Sequence, residues 1–440
     1  MSDLLSKNQK LLLVPGVALV FFLGAFLYYY RGVYNPPPPP DAPLDKIVAP
    51  ASAYGGPGEV VPRRDQGRVV AIDASHRNRF SRGEIVALEA KIGERGYGME
   101  LIGSFASLPG SERMPVLEAA LRRADSLVVA MPGDAYSAAE VALVQRFVQR
   151  GGRLLLVGDP TRESQINSLA DTFGIAFQRD YLYNMADYDL NFQYINVRNF
   201  QPDELTQGLG EITLYSAGSI RSLGPGLAST DGQTRSTLTD IPAEAPQSFY
   251  TLVRGNTGQV VGLSDMTFMV PPQDSIRDNG RLLSNLVAFL TTSQRRFELA
   301  DYPHFLRGEV QVIITRPELF GAATKLRGHL TSQQVTSQFS REDDLTRDAV
   351  VLGLFDDDAQ LVPYLEGAGV QVGSTVGTRF TAQLPRSQTA VLVLHRSQER
   401  NVLVVLADTP DNLGSLVARL SPGGDFRVGL LDELVGVYRP

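Results

Sequence analysis

The chain of 440 residues contains no cysteine. That absence excludes disulfides, thiolate metal sites and any cysteine nucleophile. Histidine is scarce: the four present, His76, His304, His329 and His395, are too few and too scattered for a multi-histidine metal centre. Basic excess is missing as well. A net charge of -7 and a pI near 5.3 argue against nucleic-acid binding, which needs a basic footprint. Familiar catalytic punctuation is absent too. There is no G-x-S-x-G elbow, the nearest match being Gly262-Leu263-Ser264-Asp265-Met266, which lacks the second glycine. No G-x-x-x-x-G-K-[ST] holds a nucleotide, no H-E-x-x-H holds zinc, and no G-x-G-x-x-G follows the first strand. What is present is an ordinary folded composition, 43% hydrophobic and 20% charged with a mean hydropathy of -0.07. At about 150 residues per domain the length predicts two to three domains.

Leu11 to Tyr30, LLLVPGVALVFFLGAFLYYY, carries no charged residue. At about 1.5 Å per residue it matches a hydrocarbon core of roughly 30 Å. Tyr28, Tyr29 and Tyr30 suit an interfacial belt. A cleaved signal peptide is the rival reading, but the run is longer than a usual h-region, and Ala51-Ser52-Ala53 is too distant for a cleavage site. Lys7 and Lys10 before the run place residues 1–10 in the cytoplasm, against Arg31 after it. The expectation is a single-pass anchor in the cell membrane over 11–30, with the bulk of the chain extracytoplasmic. Residues 31–67, with five prolines at Pro36 to Pro40 and Gly55-Gly56-Pro57-Gly58, read as an extended stalk.

From Arg68 short apolar runs alternate with helical patterns, the order of an α/β domain with a doubly wound parallel sheet. RVVAID (68–73), SLVVAM (126–131) and RLLLVG (153–158) read as strands buried on both faces. Ser81 with Glu84 and Ser137 with Glu140 are capping boxes opening helices, the first with Ile85, Leu88 and Ile92 as its apolar stripe, the second with Val141, Val144, Phe147 and Val148. Gly151-Gly152 closes the second helix.

Three segments carry a family resemblance: DASHRNRFSRGEIVAL after the first strand, FVQRGGRLLLVGDP, and RDYLYNMADYDLNFQYINV (179–197). With VVGLSDMTFMVPP and DNGRLLSNLVAFL near 260–290, the stretch 68–292 resembles the class I glutamine-amidotransferase-like domain. The version it resembles occurs in auxiliary subunits of gliding-motility-type ABC transporters, in membrane-anchored bacterial proteins of unknown function and in an intraflagellar-transport subunit. The resemblance implies a flavodoxin-like sheet, usually without catalysis, and partners among ABC-transporter subunits or another envelope assembly. True amidotransferases place a cysteine at a sharp turn. The corresponding turn here is Gly158-Asp159-Pro160, and Asp159 cannot make the same attack.

Candidate site residues fall in two groups. Asp73, Ser75, His76 and Asn78 cluster at the carboxyl end of the first strand, where open α/β sheets place ligands, and Asp159 is expected on the same edge. They would bind a small polar ligand or a partner, or supply a hydrolytic acid–base pair; alternatively they hydrogen-bond their own loops. Tyr183, Asp187, Asp189 and Asn191 form the second group. The D-x-D-x-N of 187–191 opens like a calcium loop, but Phe192 stands at the required glycine and Arg198 at the required glutamate. The aromatics Tyr181, Tyr183, Tyr188, Phe192 and Tyr194 read either as one packed face of a strand or as a recognition surface. No residue set reads as catalytic, as a metal site or as a cofactor or nucleotide site. Asp356-Asp357-Asp358 reads as a solvated loop and helix start.

The first domain is expected to span 68–294 and a second, smaller α/β domain of mixed strand direction 295–440. In the latter EVQVIIT (309–315), AVVLGLF (349–355) and the hairpin TAVLVLH/NVLVVLA (389–395, 401–407) are strands, and Thr409-Pro410 starts a helix ending near Leu420. His304, His329 and His395 read as structural or exposed. Together these readings predict a non-enzymatic extracytoplasmic scaffold or accessory subunit. A membrane-tethered small-ligand sensor is the alternative, and a carboxylate-dependent hydrolase the weakest reading.

Overall fold

The computed structural model describes residues 7–30, 68–106, 108–238, 248–381, 383–387, 389–397 and 400–439. Two units separate, Met1–Ser52 and Ala53–Pro440. In the first, α1 (Lys7–Tyr30) is a helix covering the apolar run, with Pro15 inside it. Its side chains at 7–14 and 30 lie outside the described residues, and the stalk at 31–67 lies outside them entirely. Among the described residues no helix is long and apolar enough to cross a membrane.

The second unit is α/β and carries two main sheets with separate cores, which fall on either side of the 291–297 segment, beside three small sheets of two or three strands. The first sheet is built from β1 (Val69–Ala74), β2 (Gly98–Gly103), β3 (Ser126–Ala130), β4 (Arg153–Val157), β5 (Ile175–Phe177), β6 (Ile220–Ser222), β7 (Tyr250–Arg254) and β8 (Val260–Leu263) in the order β2-β1-β3-β4-β8-β7-β6-β5. Two short strands, Gly226–Ser229 and Asn199–Phe200, branch from β7. The run β2-β1-β3-β4-β8 is parallel throughout. Alternate residues on these strands face opposite sides, so each face needs its own apolar cover. Val70, Ile72, Leu155 and Val157 pack with α2 (Val86–Glu94) and α5 (Asn279–Thr291) through Leu88, Ile92, Leu282 and Leu286. Ala71, Leu127, Leu154 and Leu156 pack on the other side with α3 (Gly110–Arg123) and α4 (Ala138–Gln149) through Leu117, Leu121, Val144 and Phe147. The parallel half is therefore doubly wound.

The other half departs from an all-parallel expectation: β7, β6 and β5 join antiparallel. They are short, and β5 and β6 have only three residues each, too few for a periodic signal. Both capping boxes form, with a difference. At Ser137 the backbone N–H donates to Glu140 Oε2 at 2.7 Å, opening α4. At Ser81 the box opens a single 3-10 turn, Arg82–Ile85, and α2 begins only at Val86.

The second sheet is mixed, as the strand and hairpin pattern predicts. Its strands are β9 (Val310–Ile314), β10 (Ser337–Ser340), β11 (Ala349–Leu354), β12 (Ala390–Arg396), β13 (Asn401–Ala407) and β14 (Val435–Tyr438), in the order β10-β9-β11-β13-β12-β14. The hairpin β12–β13 pairs in unbroken antiparallel register from Ala390↔Ala407 to Arg396↔Asn401. The α6 helix (Pro410–Arg419) has Thr409 as its N-cap. Asp357 is not merely solvated: its carboxylate accepts from Leu354 N, Thr315 Oγ1 and Arg316 Nε at 2.9, 2.6 and 2.7 Å.

Stacked cations join the two sheets. The Arg295 guanidinium lies 5.1 Å from the Phe147 ring centre and 4.4 Å from that of Phe297, and Arg307 lies 4.8 Å from Phe297. Arg295 also donates to Asp301 at 3.1 Å, and Arg307 reaches across to Asp125 at 2.7 Å. Burial, partly countered by Asp301 and Asp125, pushes Arg295 down to about 10.

Candidate functional site

The parallel strand order reverses between β1 and β3, and the loops leaving their carboxyl ends frame the crevice where such sheets hold ligands. Asp73, Ser75, His76 and Asn78 all lie there, as expected, and all are buried. Each is committed to another protein group. Asp73 Oδ1 accepts from Ser75 N and Ser75 Oγ at 2.9 and 2.7 Å. Asp73 Oδ2 accepts from Tyr136 Oη at 2.8 Å and lies 2.9 Å from His76 Nδ1. Asn78 accepts from His76 N through Oδ1 and donates to the Ala130 carbonyl at 2.8 Å, tying the loop after β1 to the end of β3.

Three residues that sequence reasoning did not assign to this site complete it. Tyr136 stacks on His76, ring centres 3.8 Å apart and planes within 11°. Glu140 Oε1 stands 3.6 Å from His76 Nε2, beyond hydrogen-bond reach, and accepts from Arg113 Nε at 2.7 Å. The same Glu140 caps α4 through Oε2, so one buried side chain serves the helix start and the crevice. Burial drives the Asp73 carboxyl up, but the hydrogen bond and charge of His76, with Ser75, hold it below its ordinary value. For Glu140 burial is likewise outweighed, by Ser137, Arg113 and His76. Tyr136 is raised well above its ordinary value by burial and by Asp73.

Backbone geometry reinforces this packing. Arg77 and Met131 adopt left-handed φ of 51° and 42° on the two loops, each at a cost of about 1–3 kcal/mol. The His76 carbonyl accepts both Gly133 N and Asp134 N at 2.9 Å. A Cβ at Gly133 would lie 2.7 Å from the Arg77 carbonyl oxygen, so only glycine permits the loops to close this tightly. The Asp–His pair resembles part of a hydrolytic dyad in composition alone. The histidine ring has no solvent-accessible surface and is covered by Tyr136, so no substrate can reach it in this conformation.

Asp159 lies on the same sheet edge but outside that network. Its Oδ1 accepts from Thr161 N at 2.9 Å and from Thr161 Oγ1, while Oδ2 is buried with no hydrogen-bond partner. It lines a cavity of about 310 Å³ with Ser264, Phe177, Arg179 and Tyr181.

The second group is elsewhere, on an excursion between the short strands Leu182–Tyr183 and Tyr194–Val197. Asp187 is paired with Arg198 and accepts from Asn196 Nδ2 at 2.9 Å. The bond to Arg198, then that to Asn196, lowers its pKa. Asn191 Oδ1 accepts from Gln193 N at 3.1 Å and Asp189 N donates to the Tyr194 carbonyl at 2.8 Å. Among the described residues no group of three or more carboxylates or histidines could hold a metal ion. The packed-strand reading of the aromatics holds for Tyr194, which lies on a strand, packs against the first core and meets the Tyr215 ring, and it fails for Tyr188 and Phe192, which are exposed on the loop between the strands.

No known protein-family profile matches the chain, and no curated protein matches it in sequence. Among solved structures it is similar to the mmIFT52 N-terminal domain, at 14% identity and a TM-score of 0.40, over 52% of this chain and 100% of that one. A likeness at that level carries no argument about function.

Proposed function

We propose that the protein is a membrane-anchored, non-enzymatic accessory subunit of a cell-envelope complex, and that it docks a protein partner through the 184–193 loop. The observation that carries this reading is the loop itself. Met185 is 70% exposed and Leu190 90%, with Tyr188 and Phe192 beside them. Apolar side chains concentrated on so short a stretch mark an interaction site more often than scattered single ones do. Leu190 also holds a left-handed φ of 55°, an unusual conformation for leucine. A chain that strains its backbone to present leucine to water gains nothing in folding from it.

The loop is held from below. Asn184 N donates to the Phe192 carbonyl at 2.8 Å, and Asn184 Oδ1 accepts from Ala186 N and Asp187 N at 2.9 and 3.0 Å. Such preorganisation limits the ordering entropy lost on docking. The closed packing of Asp73, His76 and Tyr136 supports a non-enzymatic reading. The anchor at 11–30, supported by its uncharged run, would place the folded unit outside the cytoplasm. On this reading residues 68–292 are a non-catalytic relative of the amidotransferase-like domains, and ABC-transporter subunits are the first partners to seek.

The proposal is tested by placing a photo-crosslinking residue at position 190 of the full chain in native membranes. A discrete adduct with another protein is expected at 190 and not at Val428, which is exposed in the part of the chain that carries the second sheet. No adduct at 190, or the same adduct at both positions, would refute it.

A further inference from the structure

The cavity beside Asp159 carries a second assignment, independent of partner docking. It opens where β4 and β8 end. These strands are parallel neighbours in register Val157↔Leu263, and the Gly158 N–H donates to the Leu263 carbonyl at 2.8 Å. Ser264 and Asp159 therefore leave adjacent strands, spaced about 4.8 Å apart, at one level of the sheet edge. Two of the cavity's buried polar atoms have no hydrogen-bond partner: Asp159 Oδ2 and Ser264 Oγ. Asp159 is 4% exposed and Ser264 2%, so bulk solvent does not satisfy them. An unsatisfied buried acceptor costs about 1–3 kcal/mol, and a charged one more.

The surroundings define what would satisfy these atoms. Asp265, next in sequence, is fully buried, with Oδ2 accepting from Tyr215 N and Oδ1 from Thr267 N, both at 2.7 Å. Burial, against those amides and with the Asp159 charge adding to the rise, pushes Asp265 up to about 8. Asp265 therefore keeps its proton at neutral pH and leaves Asp159 as the carboxylate at the sheet edge; Arg179 also lines the cavity, but no protein group donates to Asp159 Oδ2. Its walls include the apolar surfaces of Ile166, Phe177 and Pro160. The nearest cation in sequence, Arg162, is committed to Glu84 and to the Arg79 carbonyl and does not reach back to Asp159.

We propose that this cavity binds a small primary amine, its ammonium group donating to Asp159 Oδ2 and Ser264 Oγ and its carbon body lying against Phe177 and Ile166. An ammonium supplies three donors and a positive charge, which matches the two orphaned oxygens, one of them a carboxylate's. The cavity's volume lies at the small end of ligand pockets, suited to a body of roughly a dozen non-hydrogen atoms or fewer.

The test is calorimetric titration of the full chain in detergent with propylamine, butane-1,4-diamine and benzylamine, each against the corresponding alcohol, and with sodium and potassium chloride at matched ionic strength. At least one amine is expected to bind below millimolar Kd and its alcohol at least tenfold more weakly. Asp159→Asn should weaken the amine at least tenfold and Ser264→Ala several-fold. The amine–alcohol comparison needs no variant, so a misfolded Asp159→Asn protein leaves the proposal falsifiable. No amine binding, equal binding of amine and alcohol, or saturation by an alkali cation alone would overturn it.

Discussion

Replacing Asp73 with alanine separates a closed structural network from a resting active site. The carboxylate accepts from Ser75 N, Ser75 Oγ and Tyr136 Oη and contacts His76 Nδ1, all between 2.7 and 2.9 Å. Truncation leaves the Ser75 amide, the tyrosine hydroxyl and the imidazole without their acceptor in a site closed to water. At about 1–3 kcal/mol for each buried group left unsatisfied, and with partial relaxation, the loss should be roughly 3–6 kcal/mol. Because the folded unit carries two main sheets with separate cores, a single unfolding midpoint would mix them. Peptide-resolved hydrogen exchange reads the loss where it occurs. Peptides from β1 and β3 should exchange roughly 100-fold faster or more, since each 1.4 kcal/mol is tenfold, while β11 and β13 stay unchanged. Asp73→Asn, which keeps the shape and one acceptor, should fall between. Exchange that is unchanged or slower in Asp73→Ala would refute the reasoning, since relief on substitution is what a site strained for chemistry shows.

Two further outcomes follow from buried charge. Arg295→Ala should destabilise the joint between the sheets by about 3–5 kcal/mol, because it strands Asp301 and removes a cation held between two phenyl rings; faster exchange in the 295–301 peptides checks it, and a change under about 1 kcal/mol would contradict it. His304 gives a pH dependence. Burial and the surrounding Arg123, Arg427, Arg295 and Arg122 push its imidazole down to about 4 from 6.5. The unfolded chain then binds more protons than the folded one between those values, so stability should fall as pH drops from about 6.5 towards 4. His304→Gln should flatten that limb in urea titrations at stepped pH, and an unchanged limb would count against it.

The doubly wound half of the first sheet was legible because its strands are continuous apolar runs and both of its serine–glutamate boxes are local signals. The antiparallel half was not, since strands such as Ile175–Phe177 and Ile220–Ser222 are shorter than any period and form by pairing with distant partners. The same reason hid β10 and β14, which complete the second sheet's edges. Asp73, Ser75, His76 and Asn78 could be placed together because they are adjacent in sequence. Their meeting with Tyr136, 63 residues away, carries no sequence signal. Glu140 was visible only as a helix cap; that it is also buried against His76 and Arg113 depends on packing. Of the aromatics near 181–194, Tyr183 and Tyr194 do lie on strands, whereas Tyr188 and Phe192 misled because alternation mimics a strand even when the backbone turns out into solvent.

The most direct measurement is co-purification of the full chain from native membranes in mild detergent through a C-terminal tag, with Leu190→Asp and Asp73→Asn variants in parallel. The account predicts membrane subunits in stoichiometric amount with the parent chain and with Asp73→Asn, and their loss with Leu190→Asp at equal recovery of the tagged protein. Recovery of the parent chain alone across several detergents, or the same subunits with Leu190→Asp, would contradict it.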